Sequence, residues 1–568
     1  MQFTIEINGV KTVAKRGETI LTVLQRNGIK VPTLCCMAGF SPTGSCRMCV
    51  VEVEGMSTLV PACSHPVEEW MQIKTHSPRV IKARRTLVEL LLANHPDDCL
   101  YCDRAGTCEL QKIASELYIR ERKYHPRKPS VQIDRNCSSI ERDPGKCILC
   151  ERCIRVCDDV IGVNAIEIIG RGSHSMIGTS YNKGLNFHAC IKCGQCILVC
   201  PTNALKEKNN TQQVIDALNN PDLHPVIQLS PTAAISVAEE YSLKPGKDLL
   251  HRISAALRKI GFMEIYDTAL AADINTLEIA TALADRIRNK EKMPLFTGNC
   301  PSWVYYAGNF LPDYKNHLTT VNAPQQIMGA LIKTSFNTGP EKKIFSVAVS
   351  PCTADKQEAE RYPSLISGEK NVDVVLTNRE LIKILRHFGI DMNVIEPGFA
   401  EAGYGMRGSS GRLYGISGGT AESILRSFNY VMTGQELNPL KVSELRGPKG
   451  RKEYRIKVGK VHFTFVAING LQNVKPLLDE IAAGRTDIQL VEVMTCPGGC
   501  INGGGQRYTT DEKFLKSRSR AIYDADDEEM IKVAHKNPAV TAIYADHVQT
   551  PLKEVDLNYL SGIQTPAI

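Results

Sequence analysis

The stretch MTCPGGCINGGGQ, residues 494–506, combines two cysteines with five glycines near the end of a 568-residue chain. Glycine has no Cβ, so such a stretch lets the backbone come close to a bulky inorganic group. Two other stretches add one cysteine each: TGNCPSW, residues 297–303, and SPCT, residues 350–353. Four dispersed thiolates are enough to hold one cubane iron–sulfur cluster. The predicted ligands of this terminal site are Cys300, Cys352, Cys496 and Cys500.

A second cysteine pattern, between residues 147 and 200, is the most specific in the chain. The spacing C-x2-C-x2-C-x3-C occurs twice, and the second run ends in Cys-Pro. This is the bacterial two-cluster ferredoxin pattern, in which the fourth cysteine of each run ligates the other cluster. It predicts two 4Fe-4S clusters and disfavours zinc. The first predicted ligand set is Cys147, Cys150, Cys153 and Cys200, and the second is Cys190, Cys193, Cys196 and Cys157.

Residues 1–78 contain a third pattern. Strand-like alternation at the start is followed by a helix-like stretch, Thr19 to Asn27, and then by cysteines separated by ten, two and thirteen residues. Such a spacing is typical of a 2Fe-2S cluster near a surface, with zinc as the alternative. Cys36 lies in the same stretch, but the ten-residue gap favours Cys35 as the ligand. The predicted ligands are Cys35, Cys46, Cys49 and Cys63.

A helical stretch, residues 79–94, leads into one imidazole and three thiols: His95, Cys99, Cys102 and Cys108. This set could bind zinc or a 4Fe-4S cluster with one imidazole ligand. The spacing resembles a His-ligated 4Fe-4S module that follows the 2Fe-2S domain in two iron–sulfur protein families, and with its position directly after the 2Fe-2S segment this resemblance favours the cluster. The neutral ligand should raise the reduction potential. Cys137 lies in a predicted loop between residues 124 and 144, fits no ligand spacing and is interpreted as an unligated thiol.

From about residue 213 apolar strands alternate with amphipathic helices, which predicts a large α/β domain. We therefore expect a multidomain α/β protein with parts at residues 1–78, 79–120, 121–212 and 213–568. The predicted strands of the last part are Pro225–Leu229, Ile344–Val349, Val372–Leu376, Phe463–Ile468 and Gln489–Val493. Its predicted helices are Leu249–Ile260, Leu277–Asn289, Asn378–Phe388, Thr420–Phe428 and Asn473–Ala483.

Composition limits the function classes. The 21 cysteines cluster in C-x-x-C patterns, which favours metal ligation over a disulfide framework. The formal charge of +7 is offset by five anionic clusters, and no basic stripe interleaved with aromatics is present, so nucleic acid is not an expected partner. No signal peptide or membrane-spanning run is evident, so we expect a cytoplasmic protein of an anaerobic setting without a membrane partner. There is no P-loop, and Gly415–Gly419 does not fit G-x-G-x-x-G, so nucleotide binding is assigned to partners.

Taken together, the motifs resemble the large catalytic subunit of FeFe hydrogenases over nearly the whole chain. The order of modules matches, and the first two are also similar to the start of the iron–sulfur subunit of complex I. Matching motifs besides the three cysteine stretches are Pro324–Gln326, Glu358, Gly418–Gly419 and His535–Pro538. The resemblance implies a β-grasp 2Fe-2S domain, a small helical His-ligated domain, a two-cluster ferredoxin domain and a hydrogenase-like domain. It also implies that Cys500 bridges the terminal 4Fe-4S cluster to a diiron unit carrying CO, cyanide and a dithiolate.

The resemblance breaks at the positions that move protons in the family. The cysteine expected to relay protons is replaced by Asn299, and an amide cannot act as a general acid or base near neutral pH. Two glutamates of the relay fall on Ile279 and Ala282, and a serine falls on Thr319. Of these side chains only Thr319 could still carry a proton, and no neighbouring relay position could pass that proton on.

The positions expected around the diiron unit differ as well. Asp355 stands where the family has a lysine that pairs with a cyanide ligand, and the neighbouring Lys356 is expected to point elsewhere. A carboxylate that faces cyanide in a dry pocket is repulsive. Ser350 replaces a methionine, and Ala234 replaces an arginine. We therefore predict that the diiron unit is absent, while the terminal 4Fe-4S cluster is kept.

The leading hypothesis is a hydrogenase-like electron-transfer subunit with one 2Fe-2S and four 4Fe-4S clusters, in an NAD(P)- and ferredoxin-linked, electron-bifurcating complex. The resemblance implies a flavin- and NAD(P)-binding iron–sulfur subunit and a small 2Fe-2S subunit as partners, with ferredoxin or a formate dehydrogenase as onward partners. One alternative is an active FeFe hydrogenase with an altered proton route. Another is a hydrogen or redox sensor, which would usually carry an appended signalling domain; none is evident after residue 510.

Overall fold

The computed structural model describes residues 2–124, 132–187, 189–334, 342–361, 369–398, 407–458, 461–508 and 511–548. The chain divides into two compact units. The first unit holds residues 1–158, 164–188 and 199–206, and the second holds residues 159–163, 189–198 and 207 onward. The finer division into four domains stays a prediction.

The first unit begins with a five-stranded mixed sheet in the order β2-β1-β5-β3-β4, in which β1 and β5 are parallel. Helix α1 (Ile20–Arg26) packs on this sheet, and the side chain of Thr19 caps it by accepting the Thr22 N–H. This arrangement agrees with the predicted β-grasp domain. The strands are β1 (Gln2–Ile7), β2 (Val10–Lys15), β3 (Val50–Val53), β4 (Val60–Pro61) and β5 (Gln72–Lys74).

Short elements make up the rest of the first unit. They are α2 (Pro78–Ala93), α3 (Glu109–Glu116), β6 (Ile140–Arg142), α4 (Arg152–Arg155), β7 (Glu167–Ile169), β8 (Met176–Gly178) and β9 (Leu205–Glu207). β6 pairs with β9, and β7 pairs with β8. The prediction of a loop throughout residues 124–144 was wrong at β6, because a three-residue strand is too short to show alternation and its partner lies far along the chain. Residues 125–131 of that segment lie outside the described residues.

Two four-stranded sheets form the frame of the second unit. The first, in the order β11-β10-β13-β14, is parallel throughout. The second, in the order β12-β17-β16-β15, is parallel except for the β15–β16 pair. The strands are β10 (Leu223–Leu229), β11 (Glu264–Asp267), β12 (Leu295–Phe296), β13 (Lys343–Ser350), β14 (Val374–Thr377), β15 (Arg451–Val458), β16 (Val461–Asn469) and β17 (Ile488–Met494).

Helices cover both sheets of the second unit. Ile253 packs with Ile227 of the first sheet, whereas Leu283 and Phe428 share an apolar core with Phe465 of the second. No helix in the described part of the chain is long and apolar enough to cross a membrane. The helices from residue 195 onward are α5 (Gln195–Val199), α6 (Thr211–Leu218), α7 (Pro231–Ser236), α8 (Leu250–Ile260), α9 (Ala269–Arg288), α10 (Pro301–Phe310), α11 (Pro324–Thr334), α12 (Ala354–Arg361), α13 (Asn378–His387), α14 (Ser409–Leu413), α15 (Gly419–Thr433), α16 (Val474–Ala482), α17 (Glu512–Glu528) and α18 (Pro538–Val548).

Each strand and helix that the sequence predicts for this region has a counterpart within a few residues, with one exception. The helix predicted from Leu277 begins eight residues earlier, at Ala269. Every residue from 269 to 276 is buried, including Asp273. A helix buried all round has no polar face, so its sequence lacks the amphipathic period on which the prediction relied.

Candidate iron–sulfur sites

The four cysteines of the predicted terminal site line one cavity in the second unit. Cys300 follows β12 and immediately precedes α10, Cys352 follows β13, and Cys496 follows β17. All three strands are parallel members of their sheets, and loops at the carboxyl ends of parallel strands are where such folds build their sites. Cys500 reaches the same cavity from the glycine-rich loop. The structure therefore brings together the four thiols that the sequence singled out.

The chemistry of these four thiols fits a metal cluster. Burial raises the pKa of each, well above the usual value for Cys352, Cys496 and Cys500. Neighbouring thiols raise these pKa values further through charge repulsion. Thiolates persist in such a place only beside compensating positive charge, which the iron of a cluster supplies. The donor set suits a 4Fe-4S cluster.

A buried arginine fixes the glycine-rich loop that carries Cys500. Arg379 of α13 donates to the backbone carbonyl of Gly504 at 2.8 Å and also to that of Gln506. Its charge is balanced by Glu207, 2.8 Å away, whose side chain is buried as well. Because a broken buried ion pair leaves an uncompensated charge, this pair resists displacement of the loop.

The loop that carries Cys193 packs directly against the terminal site. A Cβ on Gly504 would lie 2.2 Å from the Cys193 carbonyl oxygen, and a Cβ on Gly194 would lie 2.4 Å from Oγ1 of Thr353. Only glycine fits at either position. The Cys193 thiol is also close enough for its charge to raise the pKa of Cys496. The loop of three predicted ligands, Cys190, Cys193 and Cys196, therefore adjoins the terminal site within the second unit.

The first unit contains the crossed ligand set of the ferredoxin pattern. Cys147, Cys150 and Cys153 of the first run share one cavity with Cys200 of the second run. Burial raises the pKa of the Cys150 thiol to about 12, and the neighbouring charge of Cys200 contributes to that shift. Cys200 of the second run thus lies with three cysteines of the first run.

The other ligand set is divided between the units. Cys157 belongs to the first unit, whereas Cys190, Cys193 and Cys196 belong to the second, so this set stays a prediction. The two cysteine runs nevertheless have the same local conformation. Leu149 and Lys192, at equivalent positions, have φ of 56° and 59°. Glu151 and Gly194 are also equivalent, with φ of 61° and 70°.

The cysteines of the 2Fe-2S segment form one group in the structure. The Cys63 N–H donates to Sγ of Cys49 at 3.5 Å. Hydrogen bonds with Cys35, Cys36 and Cys49 shift the pKa of the Cys63 thiol, and one with Cys35 raises the pKa of the Cys46 thiol. The four predicted ligands are therefore neighbours. Cys36 lies among them too, and the choice of Cys35 over Cys36 stays a prediction.

The His95 set lies together in the first unit. Burial lowers the pKa of His95 and keeps the imidazole neutral, as a metal ligand must be. Among the described residues, Nδ1 of this buried ring has no hydrogen-bond partner. The charge of Lys146 lowers the pKa of both His95 and Cys99. The charge of Cys102 raises the pKa of Lys146 and that of Cys108, so these side chains are neighbours. An orphaned buried nitrogen beside three thiols fits a ligand position.

The sequence left zinc as an alternative to a cluster in the 2Fe-2S segment and in the His95 set. Across the part of the chain that the structure describes, no three His, Cys, Asp or Glu side chains converge on the position of a single metal ion. A zinc ion would draw its ligands to about 2.0–2.3 Å from one point. Cluster ligands bind separate irons and stand farther apart. The preference for clusters at these two sites therefore rests on the spacing of the ligands in the sequence.

The positions that the sequence resemblance assigns to a proton relay carry an amide, two apolar side chains and a threonine hydroxyl. Asn299 lines the terminal cavity, and neither polar atom of its amide has a hydrogen-bond partner among the described residues. Ile279 is fully buried in the apolar core, and Ala282 lies three residues further along α9. The hydroxyl of buried Thr319 accepts the Val321 N–H at 3.3 Å.

Among the described residues that line the terminal cavity there is a carboxyl group and no lysine or arginine. Asp355 lines the cavity and accepts a hydrogen bond from the Ser350 hydroxyl. Burial raises the pKa of Asp355 to about 6. Lys356 points away, as expected, because its ammonium pairs with buried Glu380 at 2.8 Å. Ala234 is fully buried among apolar residues of α7 and α8.

Two of the remaining family motifs have defined contacts, and one of them reaches the cavity. Gln325 lines the cavity and donates to Oε2 of buried Glu358 at 3.5 Å. Gly418 has φ of 89°, and a Cβ there would lie 1.8 Å from the Leu445 carbonyl oxygen. Its N–H donates to the buried carboxylate of Glu492 at 2.7 Å. Glu492 has no sequence signal, because a lone glutamate in a strand normally faces solvent.

Known protein families match the chain in consecutive segments. The C-terminal domain of the iron-only hydrogenase large subunit matches residues 224–504, and a 2Fe-2S iron–sulfur cluster binding domain matches residues 1–78. The NADH-ubiquinone oxidoreductase-G iron–sulfur binding region matches residues 84–123, and the ferredoxin-like domain of NADH-quinone oxidoreductase subunit 3 matches residues 137–206. The iron hydrogenase small subunit matches residues 512–560.

The NADP-reducing hydrogenase subunit HndD of Solidesulfovibrio fructosivorans is 36% identical over 566 residues, which cover 97% of each chain. The chain belongs to the FeFe-hydrogenase large-subunit family. The alpha subunit of NADPH-Fe(3+) oxidoreductase from Geobacter sulfurreducens is 37% identical over 205 residues, 36% of this chain and 24% of that protein. A solved structure of the apo [FeFe]-hydrogenase HydA1 from Chlamydomonas reinhardtii superimposes with a TM-score of 0.55 at 27% identity, covering 61% of this chain and 96% of that chain.

These matches confirm the family and the fold class, with 2Fe-2S, 4Fe-4S and hydrogenase-like domains in one chain. The last predicted domain, residues 213–568, includes the small-subunit segment at residues 512–560 without a boundary, although His535–Pro538 within it corresponds to a family motif. No role was predicted for GYGMRG, residues 403–408, which spells G-x-G-x-x-G. Most of that stretch lies outside the described residues, and among the residues described before it the last regular element is α13 rather than the strand that precedes a dinucleotide-binding loop.

Proposed function

We propose that this chain is an iron–sulfur electron-transfer subunit of an NAD(P)- and ferredoxin-linked, electron-bifurcating oxidoreductase. In this proposal the terminal 4Fe-4S cluster is kept and the diiron site of hydrogen chemistry is lost. The observation that carries it is the composition of the terminal cavity. All four thiols are present there, while Asn299 and Asp355 occupy the places of the relay cysteine and of the cyanide-pairing lysine.

Twenty side chains would hold one 2Fe-2S and four 4Fe-4S clusters, which supply one-electron transfer when bound. The ligands we assign are Cys35, Cys46, Cys49, Cys63, His95, Cys99, Cys102, Cys108, Cys147, Cys150, Cys153, Cys157, Cys190, Cys193, Cys196, Cys200, Cys300, Cys352, Cys496 and Cys500. The chain's own contribution to electron transfer is position. The glycine contact between Gly194 and Gly504 lets two of these sites approach without intervening side chains.

The side chains at the assigned relay positions do not support proton delivery to the terminal cavity. Catalysis of hydrogen turnover would need a group that gains and loses a proton beside the reacting metal. The Asn299 amide cannot do so. Behind it, Ile279 and Ala282 interrupt any relay, and Thr319 has no acidic or basic neighbour among the relay positions.

The cavity also lacks the charge that would hold a cyanide-bearing unit. Asp355 is either anionic, and then repels cyanide, or neutral, and then provides no ion pair. The nearest lysine in the sequence, Lys356, is committed to Glu380. Moving its ammonium into the cavity would leave the Glu380 carboxylate buried and unpaired, which costs about 3–5 kcal/mol.

The N-terminal modules suggest the electron donor. Their matches lie in NADH oxidoreductase subunits, and two relatives are named for reactions with NADP or NADPH. We infer a flavin- and NAD(P)-binding iron–sulfur subunit and a small 2Fe-2S subunit as partners. Ferredoxin or a formate dehydrogenase would then receive or supply electrons at another point of the complex.

A hydrogen-evolution assay tests the proposal. The protein is produced together with the enzymes that assemble the diiron unit, reduced with dithionite-reduced methyl viologen, and assayed for hydrogen beside an active FeFe hydrogenase prepared identically. We expect reduced clusters and no hydrogen above background. Hydrogen evolution comparable to that of the positive control would overturn the proposal.

The second candidate is an active FeFe hydrogenase with an altered proton route. It is favoured by the 36% identity to a NADP-reducing hydrogenase subunit over nearly the full length of both chains. Of Asn299 and Asp355, the two replaced positions in the cavity, only Asp355 could then gain and lose a proton. The same assay separates the two candidates.

A further inference from the structure

Lys192 is a fully buried lysine between two cysteines of the ferredoxin pattern. Among the described residues its Nζ has no hydrogen-bond partner. The Nζ instead lies over the aromatic ring of Tyr305, 3.7 Å from the ring centroid. A cation over a ring gains less in a desolvated place than it costs to bury a lone ammonium. A further source of negative charge is needed to explain its position.

The fold of the loop does not require a lysine. Leu149 occupies the equivalent position in the first cysteine run, with φ of 56° against 59° at Lys192. The same backbone conformation therefore accepts an apolar side chain. Compared with Leu149, Lys192 adds a charge. That charge is present only in the second cysteine run, whose loop packs against the terminal site.

The position of that charge is defined by three contacts. The Lys192 carbonyl accepts a hydrogen bond from Thr353 Oγ1 at 2.7 Å, next to Cys352. Tyr305 lies on α10, the helix that Cys300 precedes. Tyr305, Cys193 and Cys300 all pack against one apolar cluster, where screening by water is weak. The ammonium thus lies on Tyr305, which shares an apolar cluster with Cys193 and Cys300, while the backbone of Lys192 is held beside Cys352.

We propose that Lys192 is the fixed positive charge that raises the reduction potential of the cluster held by Cys190, Cys193 and Cys196. Reduction adds one electron to that cluster, with no proton transferred and no bond broken, and so makes it more negative by one charge. A buried cation stabilises the more negative state. Lys192 would thereby favour residence of the electron next to the terminal cluster. The inference rests on the proposed function only in that these cysteines hold a cluster.

The test is an EPR-monitored redox titration of the full-length protein with its clusters loaded, using dithionite as reductant. Lys192→Leu installs the residue of the other run, and Lys192→Arg keeps the charge. We expect Lys192→Leu to weaken reduction of one 4Fe-4S cluster at least tenfold, a shift of about 59 mV to lower potential for one electron. Lys192→Arg should stay close to the wild type.

An unchanged set of potentials in a fully loaded Lys192→Leu protein would overturn the proposal. Lys192→Gln provides a second neutral variant if the leucine protein loses iron. Loss of the cluster from both neutral variants, with Lys192→Arg still loaded, would assign the charge to cluster retention and also overturn it. The potentials report on Lys192 whether or not hydrogen is made, so failure here is distinct from failure of the proposed function.

Discussion

The contact between Gly504 and the Cys193 loop gives the sharpest structural prediction. In Gly504→Ala, the added methyl group would lie 2.2 Å from the Cys193 carbonyl oxygen and 2.6 Å from the Gly194 Cα. Both are backbone atoms and cannot rotate aside. To reach ordinary contact, the two loops must separate by about 1 Å, and overpacking of this kind costs about 1–3 kcal/mol.

The assay follows two quantities in the loaded protein. Chemical denaturation, monitored by visible cluster absorbance, should show a stability loss of about 1–3 kcal/mol. EPR of the reduced protein should show a weaker magnetic interaction between clusters, because that interaction falls with distance. Gly308→Ala in α10 is the matched control: no atom lies within 4 Å of the added Cβ, so it should be neutral or stabilising by up to about 1 kcal/mol. A Gly504→Ala protein that matches Gly308→Ala in both measurements would refute the close approach of the loops.

Three further predictions concern separate parts of the chain. Glu207→Gln should lower the free energy of unfolding at pH 7 by about 3–5 kcal/mol in chemical denaturation, because it leaves Arg379 buried without a counter-charge. The control Glu369→Gln, in an exposed ion pair, should cost at most about 1 kcal/mol. Equal effects of the two substitutions would contradict the role of burial. Cys35→Ser should abolish the 2Fe-2S absorption and EPR signals while Cys36→Ser keeps them, and the reverse result would exchange the two assignments. Asn299→Cys alone should not evolve hydrogen from reduced methyl viologen in the matured protein, because Ile279 and Ala282 still interrupt the relay; gas chromatography showing robust evolution would contradict this.

In the second unit, local sequence patterns predicted five of the eight strands and five of the fourteen helices α5–α18, because these elements are regular and of ordinary length. They could not predict the first half of α9, where residues 269–276 are buried on every side and carry no period. They also missed β6, a three-residue strand whose partner, β9, lies more than sixty residues away. In both cases tertiary packing decides the structure, and a short sequence window contains no record of it.

The candidate sites also combine features that the sequence predicted with features that depend on tertiary packing. Cysteine spacing identified the four thiols of the terminal cavity, because cluster ligation imposes fixed loop geometry on short stretches. Spacing did not show that Cys36 lies beside Cys63, or that Lys192 is enclosed without an acceptor. The partner of Lys356, Glu380, is 24 positions away, on a helix that β14 brings back to the site. Such contacts follow from the fold rather than from any motif.

The central claim is that the terminal cavity keeps its 4Fe-4S ligands and no longer holds a diiron unit. Infrared spectroscopy of protein purified without oxygen, after production with the diiron assembly enzymes, tests this claim directly. CO and cyanide bound to metal have stretching bands in a region free of protein absorption. We predict a spectrum without such bands in a preparation whose EPR shows intact 4Fe-4S clusters. Clear metal–CO and metal–cyanide bands, accompanied by hydrogen uptake, would contradict the claim.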